Sequence, residues 1–338
     1  MKYSTLFCLL MVVVAVFLSS FSPGFYTSAL TDAPPIPIYN SIRVFHTEVY
    51  EPEFDLKIDS FVIPLKRAGR LFLIEAKVDN EEGNLIFDTG ASGLVLNSTY
   101  FRNYIKTETK NSSGINGAVG LVEKISVGKL EFAKLSYKNL WADLVSLGHI
   151  ENRRGVKILG LVGFGMMRNF EIVLDSKNNE LKLFRIDKTG KRLNSQSPEF
   201  KSDYNQKIEG NGNILFLKGM IGGKMLNFGF DSGAETNAIS SFSNKKIMST
   251  ITITRRMTLK GAGASGREVL FGRMNDFTIG PRQILNMETI ITNLAALSDV
   301  YGTHIDGMLG YSFLEHGTIC VNFVKKQFGI RFWKGDDK

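Results

Sequence analysis

A chain of 338 residues, 43% hydrophobic and 22% charged, has the composition of a globular protein with one large core or two smaller ones. The formal net charge is +8, but the basic residues lie in scattered pairs such as Lys66-Arg67, Arg153-Arg154 and Arg255-Arg256 and form no run. Pairs of that kind are solvated surface, which argues against a nucleic-acid partner and leaves room for a mild preference for acidic ones.

Residues 1–22 have the pattern of an export signal. Lys2 supplies a positive start, Leu6 to Leu18 is uninterrupted and apolar, Ser19, Ser20 and Ser22 are small, and Pro23-Gly24 breaks any helix. The apolar run is thirteen residues long, short of the roughly 20 that a membrane span needs. The expectation is an exported protein, periplasmic or secreted, with no stable membrane span after signal cleavage. The alternative is an uncleaved signal that anchors it. Cys8 would leave with the signal, so Cys320 would remain without an internal disulfide partner.

Residues 23–60 read as an extended arm around Ala33-Pro34-Pro35-Ile36-Pro37. From Phe61 the chain turns to short apolar runs punctuated by Gly and Asn, which read as strands: Leu71–Ile74, Leu85–Phe87, Leu94–Leu96, Ile172–Leu174, Leu181–Phe184. Helices are expected only as short pieces, at Ser98–Ile105, at Ser240–Met248, and after Gly163 and Gly310. Residues 61–187 form a first unit, 188–212 a polar linker, and 213–338 a second unit.

The second unit repeats the first. Leu85-Ile86-Phe87-Asp88-Thr89-Gly90-Ala91 matches Phe228-Gly229-Phe230-Asp231-Ser232-Gly233-Ala234. Each Asp has an apolar residue ten positions upstream (Val78, Ile221) and a Ser ten downstream (Ser98, Ser241) that could cap a helix. At a nearly equal interval, Gly160-Leu161-Val162-Gly163-Phe164 matches Gly307-Met308-Leu309-Gly310-Tyr311.

The repeated triplet suits a catalytic carboxylate. An apolar strand gives the loop a rigid base. Gly90 and Gly233 lack a Cβ, so their N–H groups and a partner carboxylate can come close. Thr89 and Ser232 can hydrogen-bond to hold the loops. Two such loops facing each other would pair Asp88 with Asp231. Two carboxylates at that range share one proton, so one can act as a base on water while the other acts as an acid. A single Asp-Ser-Gly is more often a plain turn. Two copies, each followed by an apolar-apolar-Gly element, are a much more specific signal.

These residues resemble the retropepsin and pepsin-like aspartic proteases. The resemblance covers both units, from about Phe61 to Phe332, and rests on Asp88-Thr89-Gly90-Ala91, Asp231-Ser232-Gly233-Ala234, Leu161-Val162-Gly163 and Met308-Leu309-Gly310. It implies a mainly-β acid-protease fold of two homologous β-barrel lobes related by pseudo-two-fold symmetry, as in single-chain, two-lobed secreted bacterial members. It also implies an aspartic endopeptidase that acts as a monomer on polypeptide substrates, without cofactor or metal. Gly-rich segments around Gly117 and Gly263 are expected to be flap hairpins over the cleft. No pepsin-like flap Tyr is identifiable, and the residues after the alanines differ between the units (Ser92, Glu235).

Other signals are weak. The segment 261–266 formally matches a dinucleotide-binding glycine pattern but lacks the following helix. The four histidines have no metal-ligand spacing. Two other functions remain on the same scaffold: a catalytically silent peptide-binding protein, and a structural envelope protein.

Overall fold

The computed structural model describes residues 50–53, 58–91, 93–114, 117–194, 196–209, 214–259 and 267–334; along 107–114, 117–122, 257–259 and 267–268, and at Val300, it describes the backbone alone. The signal, most of the arm, Ser92 and Gly263 lie outside these residues. Among the described residues no helix is long and apolar enough to cross a membrane.

The structure is mainly β, and the sequence repeat is a repeat of topology. In the first lobe, Glu81–Asp88 runs parallel to Ile158–Gly163. That strand pairs antiparallel with Leu94–Asn97, which runs parallel to Leu135–Val145. In the second lobe Lys224–Phe230 stands in the same relation to Gly307–Leu309, Asn237–Ser240 and Met287–Thr292. The first lobe's sheet has eight strands and the second's nine. Strands covered on both faces read as continuous apolar runs, and Leu85, Ile86, Phe87, Leu161 and Val162 are all buried.

The repeated Gly-x-x-Gly is fixed by this crossing. A Cβ on Gly160 would lie 1.9 Å from the Val95 carbonyl oxygen, and one on Gly163 would lie 2.4 Å from that of Ala91. Their counterparts Gly307 and Gly310 would each meet backbone oxygens at 2.6 Å. Only glycine lets the two chain segments pass so closely.

A third, six-stranded sheet joins the lobes. Its central pair is Phe170–Asp175 from the first lobe against Gly317–Asn322 from the second, with Val173 opposite Cys320. Glu180–Arg185 and Gln327–Phe332 flank that pair, and Ser60–Pro64 and Tyr204–Lys207 lie at the two edges. Tyr204–Lys207 falls inside the stretch read as a linker. It is the second lobe's counterpart of Ser60–Pro64. Its polar composition (Tyr-Asn-Gln-Lys) suits an exposed sheet edge and hid it from a hydrophobic pattern.

The short helices form at Ser98–Phe101 and Lys245–Met248, and a 3-10 turn and a helix follow Gly163 and Gly310 at Phe164–Met167 and Tyr311–Leu314. The caps are asparagines, not the expected serines: Asn97 accepts from the Thr99 N–H and Asn244 from that of Ile247. Two helices were not foreseen, Gly148–Arg154 and Ala295–Tyr301. Each, with its N-cap residue, buries an i, i+3 apolar pair (Leu147 and Ile150; Leu294 and Leu297). Each ends at a left-handed glycine, Gly155 at φ 64° and Gly302 at φ 63°, the usual helix stop.

Candidate active site

Each lobe delivers its Asp on the loop after a buried strand. The Asp88 strand is held in register against Gly163, and the Asp231 N–H donates to the Leu309 carbonyl at 2.9 Å. Within each loop the glycine N–H turns back onto the carboxylate: Gly90 to Asp88 Oδ1 at 2.7 Å and Gly233 to Asp231 Oδ1 at 2.9 Å. Asp88 and Asp231 are fully buried.

The loops face each other. A Cβ on Gly90 would lie 2.8 Å from Asp231 Cγ, so the first lobe's glycine is the floor on which the second lobe's carboxylate rests. Thr89 and Ser232 were expected to hold the loops, and their hydrogen bonds run from one loop to the other. The Thr89 N–H donates to Ser232 Oγ at 3.0 Å, and the Ser232 N–H donates to Thr89 Oγ1 at 2.8 Å. The Thr89 hydroxyl donates to the Phe230 carbonyl at 3.0 Å and the Ser232 hydroxyl to that of Phe87 at 2.8 Å. Four buried hydrogen bonds, two from each lobe, thus set the separation of the carboxylates.

This packing changes the chemistry of both groups. Asp88 is held well above the ordinary carboxylate range, first by burial, then by the Asp231 charge and a hydrogen bond between the two carboxylates. Asp231 is pushed up to about 6, again by burial, against hydrogen bonds from Asp88 and from the N–H groups of Gly233 and Ala234 that favour its charged form. Two buried carboxylates in contact cannot both ionise easily, so the pair holds a proton and titrates as a unit. Each Oδ2 is buried and accepts no hydrogen bond from the described residues.

The unforeseen helices bear on this region through their last residues. Arg154 and Tyr301 occupy equivalent places in the repeat, each just before the helix-ending glycine. The Tyr301 hydroxyl is raised by burial and then by the Asp231 and Asp88 charges. Arg154 reaches across the lobes to an ion pair with Glu235, and both side chains are largely buried. Arg70 N–H also meets Glu235, at 3.4 Å, and its guanidinium pairs with Glu288 at 2.5 Å. The Ser92/Glu235 difference noted in the sequence thus places a second-lobe carboxylate between two first-lobe arginines. Arg154-Gly155 and Tyr301-Gly302, aligned through the repeat, carried the signal for these helix ends.

Gly117 opens the strand Gly117–Phe132, which pairs with Lys106–Gly114 as a hairpin with Gly114 opposite Gly117. The second lobe has the matching pair Ile251–Leu259 and Arg267–Met274; Gly263, between them, lies outside the described residues. Asn97 is buried, and its side chain donates to the Ile158 carbonyl at 3.0 Å. Among the described residues no group of three or more His, Cys, Asp or Glu is placed to hold a metal ion.

Residues 217–313 match the family model described as aspartyl protease. The matched segment contains Asp231-Ser232-Gly233 and Met308-Leu309-Gly310, the second copy of each repeated motif. Three solved structures are similar at low identity. An aspartic proteinase from Irpex lacteus is 14% identical, with 82% of this chain and 98% of that one covered and a TM-score of 0.45. A protein described as edgp is 11% identical, with 83% and 96% covered and a TM-score of 0.46. A retropepsin-like aspartic protease from Rickettsia conorii is 21% identical, with 40% and 93% covered and a TM-score of 0.27. No curated protein matches the sequence.

Proposed function

We propose that the protein is an aspartic endopeptidase that hydrolyses peptide bonds with a water activated between Asp88 and Asp231. The observation that carries this reading is the pair of buried carboxylates, one from each lobe, both raised and held together by reciprocal Thr89–Ser232 hydrogen bonds. With one proton on the pair, the ionised member takes a proton from water and the oxygen adds to the scissile carbonyl carbon. The protonated member donates to the carbonyl oxygen. Collapse of the tetrahedral species breaks the C–N bond as a proton passes to the leaving amine. No covalent enzyme intermediate forms. The substrate is a polypeptide, and export is proposed from the pattern of residues 1–22.

The test is digestion of an unfolded protein across pH, with and without a peptide that mimics the transition state. The acid limb of kcat/KM reports loss of the singly ionised pair and is expected at about pH 6, the value to which Asp231 is raised. Burial is the first cause, and Ala91 and Ala234 add no hydroxyl donor that would favour the charge. Ala91→Ser or Ala234→Thr should therefore move that limb to lower pH, because a donor to the carboxylate stabilises its ionised form. No inhibitor-sensitive cleavage at any pH would sink the peptidase reading. An unmoved limb in folded variants would leave burial as the sole control.

A further inference from the structure

At the seam between the lobes, reached by the chain four residues beyond Asp231, lies a cavity of about 570 Å³. Its floor is Glu235 and Thr236, which follow the Asp231 loop, with Thr289 and Ile290 from the strand paired alongside. One wall is the first lobe's turn at Gly69-Arg70 and the end of the helix at Arg154. The other is the second lobe's hairpin, through Arg255, Phe271 and Arg273. A peptide lying with one bond over Asp88 and Asp231 and running along Glu235-Thr236 would place a side chain in this space.

The charges of the lining do not balance. Four arginines face two carboxylates. Arg154 is taken by Glu235 and Arg70 by Glu288. Arg255 lies over the Phe271 ring at 4.0 Å and has no carboxylate partner among the described residues, and neither has Arg273. A guanidinium stacked on a ring is held flat, with its N–H edge free to meet a carboxylate in two-point fashion. The partly apolar wall, Phe271 and Ile290, weakens solvent screening of such a pair.

We infer that this cavity is a subsite for an acidic side chain of the substrate, read by Arg255 and Arg273. The inference rests on the peptidase reading for its placement along the substrate, and it makes Arg255 and Arg273 specificity-determining residues outside the reacting pair. The pseudo-two-fold counterpart of Arg154 is Tyr301, so the two sides of the cleft differ in charge, and the preference should appear on only one side of the cleaved bond.

The experiment uses a peptide set that carries Glu, Gln or Lys at each position in turn. Cleavage is measured with the native protein, and binding of the same peptides with the Asp231→Asn variant. Both readouts should favour Glu over Gln at one position by at least about tenfold, the worth of one charge-assisted hydrogen bond, with Lys poorest. Arg255→Glu combined with Arg273→Glu should reverse the order to favour Lys. If that double variant fails to fold, Arg273→Gln, at an exposed position, should reduce the Glu preference severalfold. Cleavage without any preference, or a preference that charge reversal leaves in place, overturns the subsite and leaves the peptidase reading intact. Glu-selective binding without cleavage by the native protein keeps the subsite and removes the peptidase reading. Neither binding nor cleavage removes both.

Discussion

Replacing Asp88 or Asp231 by Asn is expected to abolish turnover, with a loss of about a thousandfold or more, and to raise the melting temperature at neutral pH. Asn keeps the shape of Asp but can neither take a proton from water nor donate one from a carboxyl, and acid–base roles of this kind carry factors of about 10² to 10⁴. The gain in stability follows from the direction of the pKa changes. Both groups are raised in the folded protein, so the fold binds protons more tightly than the unfolded chain does. Stability is then fullest below the unfolded carboxylate value and falls as pH rises through the folded one. For Asp231, raised from 3.8 to about 6, a factor of about 1.4 kcal/mol per pH unit gives a cost on the order of 3 kcal/mol at pH 8. An Asn removes that cost. Thermal melts at pH 4 and pH 8 check it: the variants should gain several degrees over the native protein at pH 8 and little at pH 4. Equal melting at both values would show that the pair is not held above its ordinary range.

Gly160→Ala is expected to destabilise the protein by more than about 4 kcal/mol, enough to prevent folding at physiological temperature. The added methyl would lie 1.9 Å from the Val95 carbonyl oxygen and 3.0 Å from Leu96 Cα. Both are backbone atoms of a strand buried in the first lobe's sheet, so neither can step aside as a flexible side-chain tip could. The effect should reach the site as well, since Ile158–Gly163 is the strand against which the Asp88 strand is registered. Gly155→Ala is the control. Nothing lies within 4 Å of its added methyl and only the left-handed φ of 64° resists it, a cost of about 1 kcal/mol. Denaturant unfolding of the two variants should separate them clearly. A folded Gly160→Ala protein within 1 kcal/mol of the native one would mean that the strands do not cross this closely.

Much of this architecture was legible in the sequence because the chain says it twice. Asp-Thr-Gly-Ala and Asp-Ser-Gly-Ala after apolar strands, and Gly-x-x-Gly later in each copy, marked the two loops and the strands that support them, because close backbone crossings admit only glycine. The elements that were missed depend on contacts made far along the chain. Tyr204–Lys207 is polar, so nothing in its own composition marks a strand; it forms because Gln327–Phe332 offers it an edge. The helices Gly148–Arg154 and Ala295–Tyr301 are short, and only their i, i+3 apolar pairs and terminal glycines announce them. The roles of Thr89 and Ser232 were half legible. A loop-bracing hydroxyl follows from local sequence, whereas its partner in the other lobe follows only from the pseudo-two-fold arrangement. Glu235 stood out as a departure from the repeat, and its two arginines come from a turn and a helix end that no local pattern connects to it.

The most direct test of the account is a crystal structure with a peptide whose scissile carbonyl is replaced by a secondary hydroxyl, the shape of the hydrated transition state. The hydroxyl oxygen is expected within about 3 Å of both carboxylates, Asp88 and Asp231. A peptide bound with that hydroxyl away from the two carboxylates, or in contact with only one of them, would contradict a water activated between the pair.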